Sequence, residues 1–198
     1  MTTHKFKFWG ITLFFTIFLD VIPSLGFISI GNISITTIQI PTIISAIILG
    51  PMYGSFTAAV FGLISLFHAM SRDATSVDVL FLNPLISILP RICIALVTGH
   101  LFKLINKLAK GKYRAFSAAV CSLIGSLTNT ILIFAALYFV YPNELMHIYG
   151  ISDTAQLWKV LSRNICHNGM IEAAFCTVTC TVIVLILHRL AQKKHWTL

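Results

Sequence analysis

The sequence predicts an all-α membrane protein with six transmembrane helices and both termini cytoplasmic, folded as a single membrane domain over residues 1–198. Three observations lead there. Hydrophobic residues make up 57% of the chain, only 10% are charged, and the mean hydropathy is +0.90, outside the range of soluble domains. Apolar segments close to the roughly 20 residues that cross a bilayer recur between turn signals. Most of the basic residues fall in three clusters beside those segments, at Lys5 and Lys7, at Lys103–Arg114, and at Arg189, Lys193 and Lys194.

The first span runs from about Phe8 to Leu25 and ends in the Pro23/Gly26 region. The second, about Ile35–Leu49, is short and stops at Gly50-Pro51, a strong turn signal. The third, Met52–Met70, follows at once, and the polar stretch SRDATSVD separates it from the fourth, Leu80–Leu104. The fifth covers Phe116–Tyr141 and the sixth Ile165–Leu187. An even number of crossings puts all three basic clusters on one side, which the positive-inside rule makes cytoplasmic. The opposite loops carry Arg72, Lys159 and Arg163, offset by Asp73, Asp78, Glu144 and Asp153. An odd number would leave one lysine cluster outside.

Several other classes are disfavoured. The net charge of +8 sits where topology requires it, so nucleic-acid binding does not follow from it. The first apolar run has no small-x-small cleavage site before the next span, and an uncleaved helix is expected rather than a signal peptide. The five cysteines, Cys93, Cys121, Cys166, Cys176 and Cys180, lie in or beside apolar segments without CxxC spacing and read as small hydrophobes. The histidines lack the i, i+4 pairing that places two metal ligands on one helix face.

Ionisable and amide side chains inside the spans carry the functional signal. Arg91 lies in the fourth span and Glu172 in the sixth, and a charge near the bilayer centre costs roughly 2.5–3.5 kcal/mol. Helical rise puts Arg91 roughly 10–12 Å below the outer end of its span. Asn168 and Glu172, four residues apart, fall on one face in the outer half of the sixth span, and Asn129 comes to about mid-membrane on the fifth. Convergence of three helices predicts a pocket open to the outside. Arg91 and Glu172 can also neutralise each other as an interhelical ion pair, and Asn129 can serve as hydrogen-bonding glue between helices. Gln39, with Thr36 and Thr37, sits at the outer end of the second span, and Asp20 reads as a solvated helix end. Gly50 and Gly54 bracket the turn, while Ala58 and Gly62 continue a small-xxx-small spacing that permits close helix approach, within the chain or against a partner.

The segment IPTIISAIILGPMYGSFTAAVFGLISLF (Ile40–Phe67) resembles the membrane-embedded substrate-binding (S) components of energy-coupling factor (ECF) transporters, which import vitamins into prokaryotes. NPLISILPRICIALVTGHLFKLI (Asn83–Ile105), GSLTNTILIFAALYF (Gly125–Phe139) and NGMIEA (Asn168–Ala173) look like the pantothenate branch. The resemblance implies a six-helix vitamin-binding protein of the prokaryotic cell membrane, without a cofactor. It would work with a transmembrane T component and two cytosolic ATPases. Loops corresponding to Gly26–Ile35, Ser71–Leu82 and Pro142–Asn164 would close over the substrate. The Ala-xxx-Ala motif that many members carry on the first helix for the T component is missing here, where Gly10, Thr12 and Thr16 are the small residues. Gly50, Gly54, Ala58 and Gly62 are then the candidate docking positions.

Pantothenate has one carboxylate, an amide and two hydroxyls. A guanidinium grips a carboxylate through two parallel hydrogen bonds, and Arg91 is the arginine within a span. Asn83, Asn129 and Asn168 offer both donors and acceptors for the amide and hydroxyls. Glu172 orients Arg91 or accepts from a hydroxyl, with Gln39 beside them, and Phe67 and Phe81 cover the geminal methyls. The sequence has no GxxxxGK[ST] phosphate cradle, so ATP hydrolysis is expected in other subunits. An S component for a folate, a pyrimidine precursor or a nicotinate-type acid, an autonomous secondary transporter, and an intramembrane enzyme are the competing readings. A cysteine placed at Lys110 should stay unlabelled by an impermeant thiol reagent in intact cells and react after lysis; labelling in intact cells overturns the orientation.

Overall fold

The computed structural model describes residues 3–30, 33–71, 77–109 and 113–193. Helix α1 (Thr3–Val21) leads through a single turn, α2 (Pro23–Gly26), into an antiparallel hairpin of β1 (Phe27–Ile30) and β2 (Ile33–Thr36), with Phe27 opposite Thr36 and Ile30 opposite Ile33. The hairpin corrects the expected start of the second span. Ile28, Ile30, Ile33 and Ile35 alternate with polar Ser29 and Ser34, a period of two that suits a strand and not a helix.

Helix α3 (Gln39–Ile48) follows, then a turn at Gly50 with φ of 104°, a left-handed conformation that favours glycine, and α4 (Pro51–Ser71), opened by a proline whose missing N–H is harmless there. The expected fourth span is broken into three pieces: a 3₁₀ turn (Asp78–Leu82), the single turn α5 (Pro84–Ser87) and α6 (Leu89–Leu108). Asn83 caps α5, its Oδ1 accepting from the Leu85 amide at 3.0 Å. Pro90 then enforces the second break, because it restricts the residue before it and has no N–H to return to the carbonyl of Ile86. Helix α7 (Arg114–Val140) is unbroken.

Between α7 and the last helix lie α8 (Pro142–Tyr149) and α9 (Thr154–Asn164), separated at Gly150 in the left-handed region and at Asp153, which caps α9 by accepting from the Ala155 amide. A π turn (Ile165–Gly169) joins α9 to α10 (Met170–Lys193). The helical stretches Pro51–Met70, Pro84–Leu108, Arg114–Val140 and Thr154–Gln192 are each long and apolar enough to cross a membrane. The molecule is an all-α membrane protein apart from its hairpin.

Helix α3 organises the packing. It lies against α1, α4, α6, α7 and α10, and every residue from Gln39 to Ile47 is buried. Ile43, Ile44 and Ile47 meet Ile94 and Phe102 of α6, Cys121 of α7, and Cys176, Cys180 and Val184 of α10 in one apolar cluster. A second cluster sits at the hairpin end, where Leu145 of α8 and Leu157 and Leu161 of α9 cover Leu80, Ile86 and Leu137. Small residues let the helices close. A Cβ on Gly54 would lie 2.6 Å from the Ala46 Cβ, one on Gly62 would lie 2.8 Å from the Ile88 Cα, and Ala58 is fully buried. Gly54→Leu should therefore destabilise the protein by about 1–3 kcal/mol through overpacking, read as a lowered thermal unfolding midpoint in detergent. Gly10→Ala, inside α1 with open space around it, should not lower the midpoint and should raise it slightly, since helix-interior glycine is disfavoured relative to alanine.

Candidate functional site

A cavity of about 240 Å³ opens at the hairpin end of the bundle, below the roughly 300–1,000 Å³ of pockets for drug-sized ligands and suited to a small metabolite. Its walls come from Thr36 of β2, from Phe61, Ser65, His68 and Ala69 of α4, from Phe81 of the 3₁₀ turn, from Arg91 of α6, from Asn129, Thr130, Ile133 and Phe134 of α7, and from Glu172 of α10.

Arg91 is set up by the break before it. Its Nη1 donates to the Ile86 carbonyl, the acceptor that Pro90 leaves without its usual helical donor. The guanidinium carbon stands 5.3 Å from the Phe61 ring centroid and 5.4 Å from that of Phe81, within cation–π range of both. The side chain is buried and its Nε has no hydrogen-bond partner. Among the described residues no carboxylate oxygen lies within 4.0 Å of it. Arg91 and Glu172 therefore share the cavity without forming the direct ion pair that the sequence left open.

Glu172 is held from another direction. Gln39, wholly buried at the start of α3, donates from Nε2 to Glu172 Oε1 at 2.5 Å and to Ser126 Oγ at 3.1 Å. Thr36 of β2 lies beside the same carboxylate on the cavity wall. Asn129, 5% exposed, carries an Oδ1 with no partner, and Gln39 Oε1 is likewise unsatisfied. Buried polar atoms are seldom left unpaired, and those on a cavity wall are where a ligand would satisfy them. At the rim, His68 Nε2 meets Asp20 Oδ2 at 3.0 Å, tying α4 to α1. Asp20 is 4% exposed, which corrects its reading as a solvated helix end.

Residues 10–185 match the family model described as "ECF transporter, substrate-specific component". The chain belongs to this family of ECF S components. A relative, the "Pantothenate transporter PanT" of Leuconostoc mesenteroides subsp. mesenteroides, is 34% identical over 138 residues, and the matched region spans 66% of this chain and 66% of the relative's length.

The fold of this S component brings Arg91, Asn129, Glu172 and Phe81 together on the cavity wall and puts Gln39 behind Glu172. Three expected residues lie elsewhere. Asn83 is spent on capping α5 and on donating to the Tyr141 hydroxyl at 3.3 Å. Asn168 lies in the π turn and is not among the cavity-lining residues, its Oδ1 standing 3.4 Å from His167 Nδ1. Phe67 is 63% exposed and off the cavity. Gly54, Ala58 and Gly62 face other parts of the same chain, and Gly50 makes the turn. Of the expected closing loops, Gly26–Ile35 contains the hairpin, Pro142–Asn164 is two helices, and residues 72–76 of the third lie outside the described residues.

Phe61, Ser65, His68 and Thr130 had no distinguishing signal in the sequence, although Phe61, Ser65 and His68 recur at i, i+4 and i+7, one face of α4. Gln39→Leu should weaken ligand binding by about 1–3 kcal/mol, since it strips a charged acceptor of its donor. The check is calorimetry on protein whose fold is confirmed by thermal unfolding; unchanged affinity would disconnect Gln39 from the site.

Proposed function

We propose that this S component captures pantothenate at the outer end of the bundle, with six helical segments, the short α3 among them, arranged across the membrane and both termini in the cytoplasm. The observation that carries the reading is Arg91: a buried guanidinium, flanked by two rings, with a spare N–H and no carboxylate within ion-pair distance among the described residues, on the wall of a metabolite-sized cavity. Such a group is preorganised for a carboxylate supplied by a ligand. The similarity to a pantothenate transporter supports the same substrate.

The ligand's carboxylate docks on Arg91. Its hydroxyls and amide meet Glu172, Asn129 and Thr130, acceptors and donors on the facing wall. Its geminal methyls pack on Phe81, Ile133 and Phe134. Gln39 keeps the Glu172 carboxylate oriented, with Thr36 beside it, so the wall need not reorganise when a hydroxyl arrives. The hairpin contributes Thr36 directly, and it is the segment placed to close over an occupied cavity. Energy for uptake comes from a T component and two cytosolic ATPases.

Titration calorimetry on the purified protein should give heat with pantothenate and none with folate or nicotinate; heat from another vitamin alone would reject the substrate and keep the family. Arg91→Ala should lower affinity by more than about a hundredfold and Asn129→Ala by about tenfold, following the larger cost of stranding a charge than of losing a neutral hydrogen bond. Because Arg91 and Glu172 are not directly paired, the Arg91→Ala/Glu172→Gln double variant should fold yet remain unable to bind. A double variant with near-normal affinity would move the carboxylate site elsewhere.

A further inference from the structure

At the end of the bundle away from the cavity, a second and smaller pocket of about 60 Å³ lies between α3, α6, α7 and α10. Its walls are apolar, from Ile47, Ile48, Phe102 and Val184, and its polar groups are Arg114 and His188. Arg114, the first residue of α7, reaches across to α10, where its Nη1 stands 2.6 Å from His188 Nε2 and also contacts Nδ1. Two basic groups thus meet each other. Lys103 adds a third nearby, since its Nζ lies 3.5 Å from where a Cβ on Gly50 would stand, two residues beyond Ile48.

Among the described residues no carboxylate meets this cluster. The acidic side chains of the sequence are Asp20, Asp73, Asp78, Glu144, Asp153 and Glu172. Asp20 ends α1 beside the cavity rim, Glu172 lines the cavity, and Glu144 and Asp153 belong to the helices that cover the hairpin end. An anion supplied from outside the chain would give Arg114 its counter-charge. The pocket's composition specifies what kind: a basic mouth over apolar walls, at the boundary of a helix bundle whose flanks face lipid. A soluble anion would gain nothing from Ile48, Phe102 and Val184, whereas an amphiphile uses both parts.

We propose that Arg114 and His188 form a binding site for the phosphodiester headgroup of an anionic phospholipid, with the start of its glycerol and acyl portion against Ile48, Phe102 and Val184. Basic pockets between transmembrane helices bind anionic headgroups by this combination of charge and apolar contact. The arginine supplies directed, charge-assisted hydrogen bonds to phosphate oxygens, and the ring nitrogens of His188 supply a further donor. The lipid would join the starts and ends of three helices around α3, independently of the vitamin cavity.

Native mass spectrometry of the full chain in detergent, titrated with dioleoyl phosphatidylglycerol, dioleoyl phosphatidylcholine or inorganic phosphate, tests this. Phosphatidylglycerol should bind in preference to phosphatidylcholine, and Arg114→Gln should weaken it by about tenfold or more, as expected for a lost charge-assisted hydrogen bond. Arg189→Gln, which removes the same charge from an exposed position at the same end, should change it less than about twofold. Both variants should bind the vitamin as the parent does, which separates failure of this site from failure of the cavity reading. Equal losses from the two substitutions would reduce the effect to general surface charge and overturn the site. Arg114-dependent binding of inorganic phosphate as tight as that of the lipid would make it a free-anion site. Unaltered lipid binding in Arg114→Gln, with loss of association with the T component instead, would assign the cluster to an acidic protein partner.

Discussion

A guanidinium enclosed in an apolar helix bundle is the constraint around which the hairpin end of this S component is built. A charge in that setting costs several kcal/mol unless its hydrogen-bonding capacity is used. Pro90 breaks the helix ahead of Arg91 and frees the Ile86 carbonyl, which then takes one guanidinium N–H. Phe61 and Phe81 present ring faces to the cation, from α4 and from the 3₁₀ turn that the broken helix leaves behind. The interruption of the fourth apolar segment and the position of the cavity are therefore one event. An unbroken helix would satisfy Ile86 internally and would leave the arginine without that anchor.

The second organising element is α3. A ten-residue helix is too short to cross a bilayer by itself, yet it touches the long helices around it and is buried from Gln39 to Ile47. Its cavity end carries Gln39, which holds Glu172 and Ser126 at once, and the preceding strand places Thr36 beside the same carboxylate. Its other end feeds the Gly50 turn and borders the basic pocket. The carboxylate and the centre of the bundle are thus connected by hydrogen bonds through Gln39, with the second hairpin strand directly against them.

The distribution of charge divides the molecule between two chemistries. Among the described residues the carboxylates lie toward the cavity end, together with Arg91, Lys159 and Arg163, while Lys103, Lys107, Arg189 and the Arg114–His188 contact lie toward the opposite end. The first arrangement surrounds a polar metabolite with selective partners. The second is what a positively flanked bundle needs to sit in a membrane of anionic lipids. The long helices between them expose large apolar side chains such as Phe14, Phe56, Ile131 and Val182 to the surroundings.

Composition, the lengths of the apolar runs and the placement of lysines determined the fold class, because a chain this apolar and this poor in charge has no soluble solution. The helices α4 and α7 were legible to within a few residues, while the breaks in the fourth segment and the helices α8 and α9, read as a loop, were not; Arg91, Glu172 and Asn129 line the cavity as ionisable or amide groups that stand out in apolar runs. Tertiary structure decided the rest. Ile35 and Thr36 were read as the start of a helix and the rest of the hairpin as a loop, because a short alternating segment beside an apolar run is ambiguous until its pairing is formed. Asn168 falls in the π turn and off the cavity lining, and the side chain of Asn83 is used by a local cap. Phe61, Ser65 and Thr130 entered it only because α4 and α7 converge there, and Asp20 was drawn inward by His68, a residue 48 positions away in the sequence. Periodicity and composition act along the chain and can be read from it; which side chains finally face one another depends on how breaks, turns and small-residue contacts orient whole helices, and that is settled only when they pack.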